Sequence, residues 1–568
     1  MKKKFCGLAL AMITLATSVA AGCGGTAGKK DDSPYADRPV TVEFSYYYAG
    51  YGDEYYKAVA KDFMDNCNQN IYLKLLPYDD TTVMRSNIIA GTHEGDIIQL
   101  SVDMFRRQNL LEEISDVYEM NAYGESVTIN SKDPSRKEYF TENVKGGGTG
   151  VFQFPSSSGA GGYNLAYNAT TLAEVFPNGY ELPKTTDEFF EFGDAMYKNG
   201  AYLTSAAIKD IGGGDYMEYL YPAWFAQMMG LEKYNAFYKG QYWNGSEWVL
   251  NEDMAAVGGL KFMSDNQDAI KYAYEISDTL LRKSNKYIHN ASPELDYLDN
   301  DKVFAGAGYR TMKKKTGFMV IGSWLENELA PLVEDGTVDK CEYGVMRIPV
   351  ASALVTQLDF VGTSTKYTGK MDDDTLSAII EAIDEGKNYT ETKAIEALSG
   401  QSELSEKDFN RICEARKMVI NSNYSNMVVP KLKDKSLKSS IYEVLAYFAS
   451  DRAQKVAAEA VGGLKMMPFG KVNESELETD VSRFVAEGNA IGNDMVAVDV
   501  AHVDNIFNLH VAVKWYHIPS GRLSAYIYNG NEDSLPTPQK MYDTVYDYVS
   551  GNWNTNMKAY KKALNEIQ

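Results

Sequence analysis

Histidine and cysteine are scarce, five of each among 568 residues. No two cysteines form a Cys-x-x-Cys pair: Cys6 and Cys23 lie near the N-terminus, and Cys67, Cys341 and Cys413 stand far apart. That spacing excludes a disulfide framework and a closed zinc site, leaves room for one disulfide at most, and predicts buried free thiols. Beyond the N-terminus no run of about 18 apolar residues occurs, so no membrane-spanning helix is expected there. Basic residues are the minority, 56 Lys and Arg against 78 Asp and Glu, for a net charge of −22. Such a surface repels phosphate backbones and anionic lipid headgroups, so no nucleic-acid partner is expected and any membrane attachment must be covalent or through insertion. Common catalytic signatures are missing as well: no G-x-S-x-G, P-loop, H-E-x-x-H or S-x-x-K is present. His502, His510 and His517 are eight and seven residues apart, too far along a helix to meet on one metal ion. Asp299-Asn300-Asp301 and Asp372-Asp373-Asp374 lack the loop pattern of a calcium site and read as solvated turns. These absences point to a protein that is not an enzyme and needs no cofactor.

What is abundant is tyrosine, 41 residues of an aromatic content of 12%. Its apolar face and hydroxyl suit wet recognition surfaces. The N-terminus has a basic start at Lys2-Lys3-Lys4, an apolar stretch from Phe5 to Val19, and then Ala20-Ala21-Gly22-Cys23. Small residues ahead of a cysteine resemble a bacterial lipobox, with Ala20 where Leu is usual. Residues 1–22 are thus expected to be a lipoprotein signal peptide, Cys23 the lipidated residue, and 23–37 a flexible polar tether.

From Pro39 strand and helix patterns alternate. Val40–Ser45, Ile71–Leu76 and Ile97–Ser101 read as strands. Asp53–Asn66 reads as a helix with Tyr55, Val59 and Phe63 on one face, and Thr82–Ala90 as a helix capped by Thr82 and stopped by Gly91. Strand-helix-strand-helix-strand predicts a parallel sheet covered by helices, with ligands beyond the carboxyl ends of its strands.

The stretch Val40–Asp116 resembles the opening of family 1 extracellular solute-binding proteins, the carbohydrate-binding receptors of ABC importers. It carries Lys61-Asp62-Phe63, Ala90-Gly91-Thr92-His93-Glu94-Gly95-Asp96-Ile97 and Asn109-Leu110-Leu111-Glu112-Glu113. Further echoes follow in the family's order: Gly162–Asn168, Leu182–Phe189 and Gly317–Trp324 with Tyr343–Pro349 behind it. Ile441–Phe448 with Gly462-Gly463-Leu464 completes them. The resemblance implies an α/β fold of two lobes with a hinge and a ligand cleft between them. Lobe one is expected at 38–155 and 355–470, the latter carrying a helical insertion at about 367–427. Lobe two is expected at 156–354 and 471–568.

A sugar cleft needs aromatic faces to stack on and carboxylates, amides or hydroxyls to grip hydroxyl groups. The candidates at positions the resemblance assigns to the cleft are Tyr48, Tyr51 and Asp53; Ser101 and Asp103; Ser156, Ser157, Ser158, Tyr163 and Asn164; and Trp224, Trp324 and Glu326. Strand alternation sets Tyr46 and Tyr48 on one face and Tyr47 on the other. The resemblance implies a monomer, lipid-anchored on the extracytoplasmic face, that captures a small molecule, most simply an oligosaccharide, for the permease of an ABC importer. Three other readings stay open: a lipid-anchored glycan-active hydrolase, a binding protein for another solute such as a peptide, and a sensor reporting to a membrane receptor.

Overall fold

The computed structural model describes residues 32–48, 52–100, 110–143, 149–156, 162, 164–209, 216–399, 401–420, 426–469, 472–499, 506–511, 517–518 and 521–567. Cys23, Tyr51, Ser101, Asp103, Ser157, Ser158 and Tyr163 lie outside the described residues.

The first strand, β1 (Val40–Tyr47), is rich in β-branched and aromatic residues, and its alternation buries Val42, Phe44 and Tyr46 to 1% exposure or less. Helix α1 (Glu54–Asp62) turns Tyr55 and Val59 inward and runs on into a single wider turn, Phe63–Cys67, with Phe63 fully buried. After β2 (Ile71–Tyr78), helix α2 (Thr81–Ala90) begins at Asp80, not Thr82. The Asp80 carboxylate accepts from the backbone N–H groups of Thr82 and Val83, which satisfies two donors of the first turn. Gly91 ends the helix at φ 68°, a left-handed conformation that costs glycine nothing. The third strand is β3 (Ile97–Gln99).

In chain order there follow β4 (Phe154–Pro155), β5 (Asn164–Asn168), α3 (Thr186–Lys198), β6 (Tyr202–Ser205), α4 (Leu220–Met229), α5 (Gln267–Leu281), α6 (Tyr297–Phe304), β7 (Thr316–Ile321), α7 (Leu325–Glu334) and β8 (Tyr343–Met346). Then come α8 (Asp373–Asp384), α9 (Glu406–Lys417), β9 (Met418–Ile420), β10 (Asn426–Val428), α10 (Lys438–Phe448), α11 (Asp451–Ala460), α12 (Arg483–Asn493), β11 (Val496–Val498) and α13 (Pro538–Ile567). Two larger sheets organise the protein. One has the order β2-β1-β3-β10-β4, with β1, β2, β3 and β4 running in one direction and β10 antiparallel between β3 and β4. The other has the order β8-β5-β7-β6, with β6 and β7 parallel and β5 antiparallel to both neighbours. The fold is α/β and two-lobed, one sheet to each lobe.

The chain passes between the sheets at fixed edges. Strand β10 starts at the carboxyl end of β3, where the Leu100 N–H donates to the Asn426 carbonyl, and β4 ends opposite Asn426. The links that follow Ser156 and precede Asn426 therefore both join the first sheet at the carboxyl ends of its parallel strands. The first of them enters the second sheet at Asn164, opposite Ile321, the carboxyl end of β7. The two crossings lie side by side at Gly162, where a Cβ would stand 2.2 Å from the Ile420 carbonyl oxygen and φ is +58°. Only glycine satisfies both conditions.

A further link is α12. Asn489 on this helix donates to the Gly463 carbonyl at 2.8 Å and accepts from the Lys465 N–H at 3.1 Å, next to α11 of the first lobe. Two residues earlier Glu487 accepts from the Tyr167 hydroxyl and the Val345 N–H, both at 2.8 Å, on the second sheet.

Residues 355–420 do not return to the first lobe as expected. Leu358, Phe360, Ile379, Ile380, Phe409 and Ile412 are buried in one core with α4, α5 and one face of the second sheet. The reason is α4: all ten of its residues are buried, so it needs apolar partners on every side, and α9 and the segment Ser352–Gln357 supply some of them. The return falls between Ile420 and Asn426. Helix α13 packs on α5, with Trp553 wedged near Phe262 and Phe507 at 6.0 Å from each ring.

Neither aspartate triplet is a solvated turn. Asp372 caps α8 by accepting from the Thr375 N–H at 2.9 Å, while burial raises the pKa of Asp373 to about 6 and the Thr185 hydroxyl donates to it at 2.6 Å. Asp299, Asn300 and Asp301 lie within α6, and Asp301 is only 2% exposed. Cys67, Cys341 and Cys413 are free and half-buried. No described helix is long and apolar enough to cross a membrane.

Candidate functional site

At the carboxyl end of β1 the pleat delivers its side chains to different places. Tyr46 turns into the core and donates its hydroxyl to Asp53 at 2.8 Å, while Tyr47 and Tyr48 remain 39% and 53% exposed. Tyr48 follows the last residue of the strand, so the expected pairing of Tyr46 with Tyr48 on one face breaks where the pleat ends. Asp53 also holds Lys57 at 2.7 Å. With Tyr46 it forms a local clasp at the start of α1 and does not present a free carboxylate. Ser156 is fully buried: Gln99 donates to its hydroxyl at 3.3 Å and accepts from the Tyr47 N–H at 3.0 Å. This serine and Gln99 fix the edge from which Tyr47 and Tyr48 project. Asn164, 1% exposed, opens β5 opposite Ile321.

On the second sheet the carboxyl ends are Ser205 of β6 and Ile321 of β7. The chain after Ile321 is Gly322-Ser323-Trp324, and the Trp324 ring folds back over Gly322, where a Cβ would meet it at 2.1 Å. That close approach is the physical reason for a glycine ahead of this tryptophan. Trp324 is half-buried, 5.7 Å from the ring of Tyr216, which stands 5.8 Å from Tyr297 and 6.0 Å from Tyr219. Its indole hydrogen-bonds one turn along α7 to the Glu328 carboxylate.

Beneath these rings lie two carboxylates. Burial and the adjacent Glu328 carboxylate raise the pKa of Asp301, and burial raises that of Glu328. The two hydrogen-bond to each other and so share a proton. Glycosidase carboxylates stand about 5–5.5 Å or more apart to straddle the bond they cleave, which a hydrogen-bonded pair cannot do. Ser205, Asn300 and Asp301 line a small cavity together with Tyr216, Tyr297 and Ile321.

Two of the sequence candidates belong elsewhere. Trp224, fully buried in α4, donates its indole N–H to the Pro349 carbonyl at 3.3 Å and is part of the core. Glu326 accepts from the Ser482 hydroxyl just ahead of α12. Burial raises its pKa. Sequence reasoning missed Tyr216, Tyr297, Asn300, Asp301 and Glu328. A signal existed: Tyr297, Asn300, Asp301 and Phe304 have the i, i+3, i+4, i+7 spacing of a single helical face.

No protein-family model matches the chain, and no curated protein matches it. Among solved structures the chain is similar to an ABC substrate-binding protein from Listeria monocytogenes in complex with cycloalternan. Identity there is 12% and the TM-score 0.49, over 91% of this chain and 100% of that one. A family 1 extracellular solute-binding protein from Bifidobacterium longum subsp. infantis gives 15% and 0.47 over 91% and 100%. The GacH receptor of Streptomyces glaucescens, seen unliganded and with acarbose, gives 13% and 0.46 over 91% and 98%. Likeness at this level decides nothing by itself; the two-lobed reading rests on the sheets and their crossings.

Proposed function

We propose that the chain is an extracytoplasmic solute-binding protein of family 1 that captures an oligosaccharide between its lobes and delivers it to the permease of an ABC importer. One observation carries this reading. The segments 156–164 and 420–426 attach at the carboxyl ends of the parallel strands, and those ends carry exposed or half-buried aromatic rings in both lobes: Tyr47 and Tyr48 on one, Tyr216, Tyr297 and Trp324 on the other. Rings approaching from two sides suit the flat C–H faces of sugars. The hydrogen-bonding edge would come from the acids and amides around them. A ligand that touches both lobes stabilises the closed arrangement by the contacts it gains there, and release to the permease reverses the motion.

The order of motifs from Val40 to Gly470 supports the family reading, and Ala20-Ala21-Gly22-Cys23 supports a lipid anchor on the outer face of the cell membrane. The protein would act as a monomer, without a cofactor. Ordering of side chains consumes part of the contact energy, so micromolar affinity, about −8 kcal/mol, is expected. A glycan panel scored for thermal shift and product release tests the reading. Stabilisation by oligosaccharides of a defined length without turnover sustains it, whereas released product would make the chain a hydrolase. Incorporation of labelled fatty acid in the wild type, lost in Cys23→Ala, tests the anchor.

A further inference from the structure

The cavity at the carboxyl ends of β6 and β7 is small, about 10 Å3 of free volume, enough for a single water-sized group. Three polar side chains on its wall have unpartnered atoms: Ser205 Oγ, Asn300 Oδ1 and Asp301 Oδ2, in residues 1%, 7% and 2% exposed. Asn300 Oδ1 is a pure acceptor, Asp301 Oδ2 becomes one when the proton shared with Glu328 leaves it, and the serine oxygen accepts readily. Buried acceptors without donors are costly, and a native site that keeps them together is waiting for a donor. Tyr216 and Tyr297 contribute aromatic surface to the same wall.

The charges around the cavity have the same sense. Asp301 faces Glu328 from α7 and Asp296 from the start of its own helix. Lys302, the cation that acts on it, is tied to Asp299 at 3.1 Å, and Lys209 lies toward Asp296 at 3.9 Å, on its exposed side. A hydroxyl entering here brings one hydrogen and leaves acceptors unmet. A primary ammonium group brings three, is about the size of a water, and is favoured both by a carboxylate and by aromatic faces.

We propose that this cavity receives a protonated primary amine of the ligand, so that within the sugar-capture reading the cargo is an amino sugar with a free ammonium group. On binding, the proton shared by Asp301 and Glu328 is released to solvent, because the ammonium charge favours both carboxylates in their ionised form. No bond is made or broken.

The inference rests on the proposed sugar-binding role, so the test separates the two. The chitosan trimer, the chitin trimer and cellotriose have the same β-linked backbone and differ at one position per ring: amine, acetamide or hydroxyl. Calorimetric titration of the full chain at pH 7 should give the amine trimer at least tenfold tighter binding than cellotriose, with heats that depend on the ionisation enthalpy of the buffer. Asp301→Asn should bring the amine and hydroxyl trimers within about threefold; Glu328→Gln serves should that variant not fold. Equal affinity of the three trimers, or an unchanged preference in the variants, overturns the ammonium site and leaves sugar capture standing. Binding of no trimer counts against sugar capture on this backbone, and methylammonium alone then decides. Saturable binding lost in Asp301→Asn supports the site, and its absence overturns it.

Discussion

In the first lobe Asp62 is surrounded by donors. The Arg452 guanidinium reaches it through two nitrogens at 2.7 Å, the Tyr447 hydroxyl lies at 2.7 Å, and Asn66 at 2.8 Å. Those contacts, Arg452 foremost, hold its carboxyl down at about 2 and tie α1 to α11. In the second lobe Asp301 meets another acid, with burial working against its charge, and its pKa rises. The first carboxylate is a structural clasp whose needs are met within the fold. The second lies where the ligand is expected and is left short of donors. The lobes thus depend on pH in opposite senses. Asp62 contributes stability that is present above about pH 4, the ordinary aspartate range, and is lost as pH falls toward 2. Asp301 and Glu328 contribute stability that is present below about pH 4 and is lost as pH rises through their raised values.

The harshest way to break this comparison is to damage one lobe. Trp224→Ala empties a fully buried site in the second lobe and should cost about 3–5 kcal/mol in denaturant unfolding, while the acid-side dependence that belongs to Asp62 persists. Loss of that dependence together with stability would show that the lobes unfold as one unit. Next in size, Asp301→Asn should reduce the decline toward neutral and basic pH to the part that burial of Glu328 imposes, and raise stability at pH 8 by about 2 kcal/mol without ligand. An unchanged pH profile would mean the acids are not strained. Arg452→Ala is milder, since the guanidinium side chain is half exposed and screened by solvent. A loss of about 1 kcal/mol at pH 7 is expected, with the acid transition moved to higher pH and the basic side untouched. Smallest is Tyr48→Ala: at 53% exposure it should change stability by less than about 0.5 kcal/mol yet weaken oligosaccharide binding about tenfold by calorimetry. A matching loss of stability would assign Tyr48 to the fold instead of the groove.

Periodicity carried the local structure well. The alternation in Val40–Tyr47 and the four-residue spacing of Tyr55, Val59 and Phe63 appear in the fold as β1 and α1, because one face of each is buried. The motif order supplied two lobes, and Gly322-Ser323-Trp324 led to the aromatic wall of the second. Spacing could not assign residues 355–420 to a lobe, since amphipathic helices such as α8 bury an apolar face equally well against either sheet. What put them in the second was the wholly buried α4, whose demand for partners is a long-range fact. Trp224 was misjudged for the same reason: a tryptophan in an apolar run of this kind is enclosed on every side. Asp301 was hidden by its neighbours in sequence, as Asp-Asn-Asp reads as a hydrated turn until Tyr297 and Phe304 are seen to set the face of the helix.

The position of β10 between β3 and β4 in the first sheet constrains how the protein is made. Val428 pairs with Ile98 across some 330 residues of intervening chain. During synthesis the amino-terminal lobe therefore waits, with an open edge at β3, until the second lobe's strands β5 to β8 have emerged. Long-range pairing of this kind is slow and leaves strand edges exposed to misassociation.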